Sequence, residues 1–194
     1  EIERLITPKT RAIVVVHYAS VACEMDELME LAKKHNLYLI EDAAHAIDAT
    51  YKGKPLGSFG NFSTFSFHET KNIYCGEGGM LVVNDEKFIR RAEIIREKGT
   101  NRSAFSRGEV SKYQWIDIGS SFLPSDIVAA FLYAQLEKID VIQAERIRLW
   151  NTYFNELKPL HDDGLFCLPF VPEYSKVNGH LFYLVCSDFN ERNL

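Results

Sequence analysis

Five apolar residues in succession, Ala12 to Val16 (AIVVV), open the clearest pattern in the chain. A short β-branched run with no polar alternation predicts a strand covered on both faces. Between Asp26 and Asn36 the pattern changes period, and Leu28, Leu31, Ala32 and His35 fall at i, i+3, i+4 and i+7. That spacing predicts a helix with one buried side. Asp26 is placed to cap its start, and Lys33, Lys34 and His35 suit the negative end of its dipole. A second apolar run, Leu37 to Glu41 (LYLIE), predicts another buried strand. Strand, helix and strand in this order make a βαβ unit whose two strands are parallel. Ligand sites on such sheets lie beyond the carboxyl ends of the strands, which is where Asp42 stands.

Further along, Phe62 to Phe67 (FSTFSF) alternates like a strand, and Met80 to Val83 follows a glycine pair as another. Lys87 to Lys98 reads as a charged amphipathic helix with Phe88, Ala92 and Ile95 on one side. Gly99 to Tyr113 is polar and is expected to be a long surface loop, a kind that is often functional or at a subunit contact. After Pro124, the stretch Ser125 to Leu157 contains neither Gly nor Pro. Ser125 is a good N-cap, and Ile127, Ala130, Phe131 and Ala134 trace one face. One bent helix or two in series would span up to ~50 Å, enough to leave one domain and enter another. The tail carries Pro159, Pro169 and Pro172 before the apolar run LFYLV (181–185) and reads as a linker and the first strand of a second domain. The expected division is residues 1–123, 124–158 and 159–194. The chain opens without a methionine and ends just after a strand-like run, so it is expected to be an internal piece of a longer protein.

Composition changes this picture little. Hydrophobic residues make up 46% and charged residues 25%, as in an ordinary globular protein with a core. A net charge of −5 offers no basic surface for nucleic acid. No apolar run approaches the ~20 residues of a membrane span, and no secretory signal opens the chain. Cys23, Cys75, Cys167 and Cys186 are far apart and show no CxxC pairing, so reduced thiols in a cytoplasm are expected and a zinc site or disulfide framework is not.

Three features bear on chemistry: an Asp ending a strand (Asp42), a Ser–x₄–Lys loop after another (Ser66 to Lys71), and a glycine cluster (Gly76, Gly78, Gly79). Chemistry on pyridoxal phosphate (PLP) needs such parts. A lysine holds the cofactor and shuttles a proton, an acid keeps the pyridine nitrogen protonated, and hydroxyls and backbone amides hold the phosphate. Each feature also has a plainer reading. A loop lysine is commonly a solvated charge, an Asp after a strand commonly caps a turn, and the glycines lack the helix of a phosphate loop. Composition and spacing by themselves stop at an α/β enzyme domain with a candidate site.

The strings EDAAHA (Glu41 to Ala46) and SFHETKNIYCGEGG (Ser66 to Gly79) resemble the signature of the DegT/StrS-type sugar aminotransferases, which are fold type I PLP enzymes. Two further stretches, HYASVACEMDELMELAKKHN and IIREKGTNRSAFSRGEVSKYQWIDIGSS, resemble the branch that aminates C4 of dTDP-4-keto-6-deoxyhexoses. The likeness runs from about Thr7 to Leu157 and returns at NGHLFYLV. It implies the later part of a large α/β domain with a mainly parallel sheet, a long connecting helix, and the start of a small α+β domain. It further implies a homodimer with the active site at the subunit interface, a sugar-nucleotide substrate, and an amino-acid donor, glutamate.

Residue by residue, the resemblance gives Lys71 the role of holding PLP and moving the proton, and Asp42 that of pairing with the pyridine nitrogen. It sets His45 near the ring's phenolic oxygen and gives Ser66 a phosphate-binding hydroxyl. Lys71 also argues against the family's 3-dehydratase branch, where that position is histidine. Many relatives carry Asn, Tyr and Arg after an IG dipeptide, the Asn reaching the neighbouring subunit's cofactor phosphate. Here the stretch is IGSSFLPSD, with Ser121 and Leu123 in place of Asn and Arg. Ser20 stands where a Gly is usual. Two rivals stay open: an aminotransferase for another nucleotide keto-sugar, and a non-catalytic PLP-binding regulator.

Other residues carry two readings each. His17 either lines the site or is a satisfied buried histidine. His68 and Glu69 lack a second His at i+4 and so do not make a zinc motif. Glu77 reads as structural. Arg102 and Arg107 either meet a diphosphate or sit as solvated charges at a dimer contact.

Overall fold

The computed structural model describes residues 1–193. Its first elements are β1 (Ala12–Val16), α1 (Met25–Lys34) and β2 (Tyr38–Asp42), with β1 and β2 parallel from Ala12 opposite Tyr38 to Val16 opposite Asp42. Two short strands follow, β3 (Thr50–Tyr51) and β4 (Lys54–Pro55), then β5 (Phe62–Ser66) and β6 (Gly79–Val83). The main sheet has the order β1-β2-β5-β6; β5 is parallel to β2, and β6 runs antiparallel along β5. This is the mainly parallel α/β architecture that the sequence predicts, with the carboxyl ends of three parallel strands on one edge.

The apolar stripe of α1 works as its period predicts. Met25, Leu28 and Ala32 are buried against Ile13, Val15, Leu39 and Ala43. Burying side chains such as Met25 and Leu28 contributes about 1.5–3 kcal/mol each. Asp26 does not cap the helix. The helix starts one residue earlier than expected, so Asp26 lies in its first turn and its carboxylate takes Lys52 Nζ at 2.7 Å. β1 is covered on one face only, since Val14 and Val16 remain 61% and 49% exposed. No described element packs on that side.

Downstream lie α2 (Ile89–Arg96), α3 (Arg102–Ser106), α4 (Asp126–Leu136) and α5 (Ile139–Asp162), then β7 (Ser175–Lys176) and α6 (Phe189–Arg192). Three expectations are corrected here. The stretch from Gly99 to Tyr113 is not structureless: it contains α3 and is stitched to the IG dipeptide by Gly99, whose φ of +74° and contact with the Asp117 carbonyl leave no room for a side chain. α4 starts on Ser125, whose hydroxyl accepts the Val128 N–H as expected, but its packed face is Val128 and Leu132. Ile127 and Phe131 are 83% and 50% exposed. α4 is apolar nearly all round (DIVAAFLYAQL), so periodicity does not choose its face; packing on Phe67 and Ile73 does, turning it by one residue, about 100°. Pro159 lies inside α5 rather than in a linker. In the last turn it costs only the partner of the exposed Asn155 carbonyl.

The LFYLV run forms no strand; only Val185 pairs, with Cys167. A strand exists only where a neighbour supplies hydrogen bonds, and the described residues supply one partner. The tail instead contributes β7, which pairs antiparallel with β3 and returns the chain to the carboxyl edge of the main sheet.

Candidate active site

The end of β2 delivers Asp42, half-buried, with Oδ1 accepting the Ala44 N–H at 3.1 Å. The chain then turns through Ala43, whose N–H reaches Thr64 O of β5 at 2.9 Å, and presents His45. His45 Nδ1 accepts the Ala19 N–H at 3.3 Å, so a neutral ring carries its proton on Nε2. Ser66, the last residue of β5, receives the His68 N–H at 3.3 Å. Lys71 follows in a loop fixed by its two buried neighbours, Asn72 (3% exposed) and Ile73 (0%). Lys71 is half-buried, and its ammonium has neither a hydrogen bond nor an ion pair among the described residues.

Behind this edge sits a fully buried pair. Glu41 accepts the N–H groups of Gly57 at 2.7 Å, Phe59 at 2.7 Å and Gly60 at 2.8 Å, and His17 Nε2 at 3.1 Å. The Cys23 N–H points at His17 Nδ1, so the ring donates from Nε2. His17 is thus the satisfied buried histidine of its two readings.

Four residues that sequence reasoning missed form a network that begins next to Lys71. Asn72 Nδ2 donates to Gln143 Oε1 of α5 at 3.0 Å and to Asn178 O at 2.9 Å. Its Oδ1 therefore accepts from His180 Nδ1, at 2.8 Å. Asn178, 1% exposed, donates to the His45 and Ile47 carbonyls at 2.8 and 2.7 Å. Its own N–H goes to Ser20 Oγ at 3.1 Å. Ser20, in the place of the usual Gly, adopts the left-handed conformation with φ of +66°. Only the return of the family likeness at NGHLFYLV marked this stretch, because isolated Asn and His residues leave no periodic trace.

The His180 ring packs against His45, tilted by 39°, with centroids 4.3 Å apart. Burial, then the neighbouring His45, Lys71 and Arg146, hold the His180 pKa down to about 4. Burial and then Lys71 also lower that of His45, with Asp42 opposing. Both rings are neutral near pH 7. His45 is thus within electrostatic reach of both Asp42 and Lys71. An amine free of internal partners, an acid with one oxygen uncommitted, a flat neutral ring and a strand-end hydroxyl are the donor set that PLP requires, and the residues present fit it.

The remaining candidates lie elsewhere. Ser121 is exposed and lines a hollow of about 480 Å³ with Phe67, Gly78 and Tyr133. His68 turns to Thr70 Oγ1 at 3.0 Å and the exposed Glu77 at 3.7 Å, and Glu69 is exposed beside it. Arg107 is spent on Glu93 at 2.8 Å and Glu109 at 2.6 Å, and Arg102 lies 3.8 Å from Glu97.

The profile of the DegT/DnrJ/EryC1/StrS aminotransferase family matches residues 1–193. The chain belongs to that family. The family is one of PLP-dependent sugar aminotransferases. GDP-perosamine synthase of Caulobacter vibrioides is 39% identical over 160 residues, 82% of this chain and 41% of its own. PseC of Helicobacter pylori, an aminotransferase of pseudoaminic acid biosynthesis, superposes with a TM-score of 0.84 at 31% identity, over 95% of this chain and 47% of that one. The putative sugar aminotransferase Spr1654 of Streptococcus pneumoniae, solved in its PMP form, gives 0.86 at 25% identity over 100% and 54%. The chain spans about half the length of the curated relatives it matches.

Proposed function

We propose that the protein transfers an amino group from glutamate to the 4-keto carbon of a dTDP-4-keto-6-deoxyhexose. This is the reaction of the dTDP-4-amino-4,6-dideoxygalactose transaminase of enterobacterial common antigen synthesis. The observation that carries the reading is Lys71, a half-buried residue whose amine has no partner among the described residues, set by the SFHETKN loop near the Asp42–His45 turn. When bound, PLP supplies an electron sink for the carbon that gains or loses the amine. Lys71 holds the cofactor and carries the proton between carbon and nitrogen. With PLP bound, Asp42 would keep the pyridine nitrogen protonated, His45 would serve the ring and its phenolic oxygen, and Ser66 would bind phosphate. Ser121 completes the phosphate site of a second copy, making the working unit a cytoplasmic homodimer with shared sites. Residues 1–123 then belong to the large domain, 124–158 to the connecting helices, and 159–194 to the small domain. A relative named for GDP-perosamine supports a nucleotide-linked sugar as the substrate class, and the Ser-rich IGSS stretch favours the dideoxygalactose branch.

The test is borohydride reduction of the full-length protein after addition of PLP, with the modified lysine mapped by mass spectrometry. A pyridoxyl adduct on Lys71 is expected, and Lys71→Ala is expected to abolish transamination. No adduct in a folded protein removes the catalytic reading in favour of a binding protein. Product analysis with dTDP-, UDP- and GDP-linked 4-keto-sugars then decides the substrate.

A further inference from the structure

One cation near this cluster is unaccounted for. Every arginine among the described residues is exposed except Arg146 on α5, which is half-buried. It makes no hydrogen bond and no ion pair among those residues. Its neighbour Glu145 turns away to Arg148, at 2.6 Å. Taking a guanidinium partly out of water without a partner is unfavourable, and burial accordingly lowers its pKa. Such a group is retained where an anion arrives from outside.

Its place is given by a neighbouring hydrogen bond, one close backbone approach and its charge acting on His180. Gln143, one turn earlier on the same face of α5, is bonded to Asn72, the residue after Lys71. Gly179, with φ of +67°, lies so close to α5 that a Cβ there would come within 3.0 Å of the Arg146 carbonyl. Arg146 and Lys71 both act on His180. α5, the lysine loop and the returning tail therefore meet at Arg146, on the side where His180 faces His45.

We propose that Arg146 is the receptor for an oxyanion of the substrate, either the carboxylate of the amino donor or the diphosphate of the sugar nucleotide. The inference rests on the aminotransferase reading and adds to it the residue that recognises substrate charge. Guanidinium is the side chain suited to both, since its planar fork pairs carboxylate and phosphate oxygens two at a time.

The experiment is calorimetric titration of the full-length protein, with and without PLP, using glutarate as a donor mimic lacking the amine and dTDP, UDP and GDP as acceptor fragments. Arg146→Gln and Arg146→Lys are compared with the unaltered protein, and thermal melts establish that each is folded. Arg146→Gln is expected to weaken one probe by on the order of tenfold to a hundredfold, the worth of one charge-assisted bond, and Arg146→Lys to recover part of it. Loss of glutarate binding assigns the donor carboxylate, and loss of nucleotide binding assigns the diphosphate. Unchanged binding of both, or no binding of either by the unaltered protein, overturns the proposal and makes Arg146 a structural residue paired elsewhere in the assembly. Loss of probe binding in a protein that forms no pyridoxyl adduct on Lys71 leaves the anion site standing while the catalytic reading fails.

Discussion

Replacing Glu41 by alanine removes the acceptor of four buried donors at once: the N–H groups of Gly57, Phe59 and Gly60, and His17 Nε2. Hydrogen bonds to a charged group are worth roughly 1.5–3 kcal/mol each. A plain sum over the four overshoots, because water entering the cavity satisfies part of what is left. The stranded donors recover part of their loss from that water, so the expected loss for Glu41→Ala is about 3–5 kcal/mol. For a protein near this size it corresponds to a fall in Tm of about 10 °C. Glu41→Gln is expected to cost about 3 kcal/mol. Its carbonyl can keep Phe59 and Gly60, but its amide meets the Gly57 N–H and the His17 Nε2–H donor to donor. The assay is urea unfolding followed by circular dichroism, at pH 7 and at a series of lower pH values. Burial raises the Glu41 pKa, but the bonds from His17 and the loop amides outweigh it and hold the value below the usual 4.5. Its contribution is therefore complete above pH 4.5 and is lost as pH falls through the folded value, so the acid limb of the stability profile should flatten in Glu41→Gln. A loss below about 1 kcal/mol in Glu41→Ala, with unchanged m, refutes the reasoning and means that the loop 57–60 is held by something else.

Three other expectations follow from the same contacts. His180, held at about 4, should show no imidazole titration by NMR between pH 8 and 5; a midpoint near 6.5 contradicts its neutral packing against His45. Because its folded value lies below the ordinary 6.5, its contribution of up to about 3 kcal/mol is present above pH 6.5 and is lost as pH falls through 4. Asn178→Ala strips the His45 and Ile47 carbonyls of their shared donor and should cost about 2–4 kcal/mol in unfolding experiments, while faster hydrogen exchange in residues 43–47 would show that the turn itself has loosened. Ser20→Gly relieves the left-handed φ, worth about 1 kcal/mol, but loses the Oγ that takes the Asn178 N–H; a Tm within about 3 °C of the unaltered protein is expected, and a large change in either direction means that one of the two effects is absent.

The amino-acid order alone determined the βαβ unit, because a β-branched run, a period near 3.6 and a second apolar run are each set by neighbours in the chain. It located the strand ends of Asp42 and Ser66 for the same reason, and the two signature strings made Lys71 a candidate. The face of α4 was not legible, since apolar residues surround that helix and only the Phe67–Ile73 surface selects among them. Nor was the fate of LFYLV, because strand character depends on a partner that the described residues supply at Val185 alone. The Asn72–Gln143–Asn178–His180 network was equally hidden: its members are up to 108 residues apart and each is an isolated polar side chain. Local pattern reports what a segment buries, whereas the partners of a buried polar group are chosen by the path of the chain in space. For this protein the sequence set the strands and nominated the lysine. Tertiary structure decided that α5 and the returning tail bond to the residue after that lysine, bringing two neutral histidines and an arginine with no partner among the described residues to the same place.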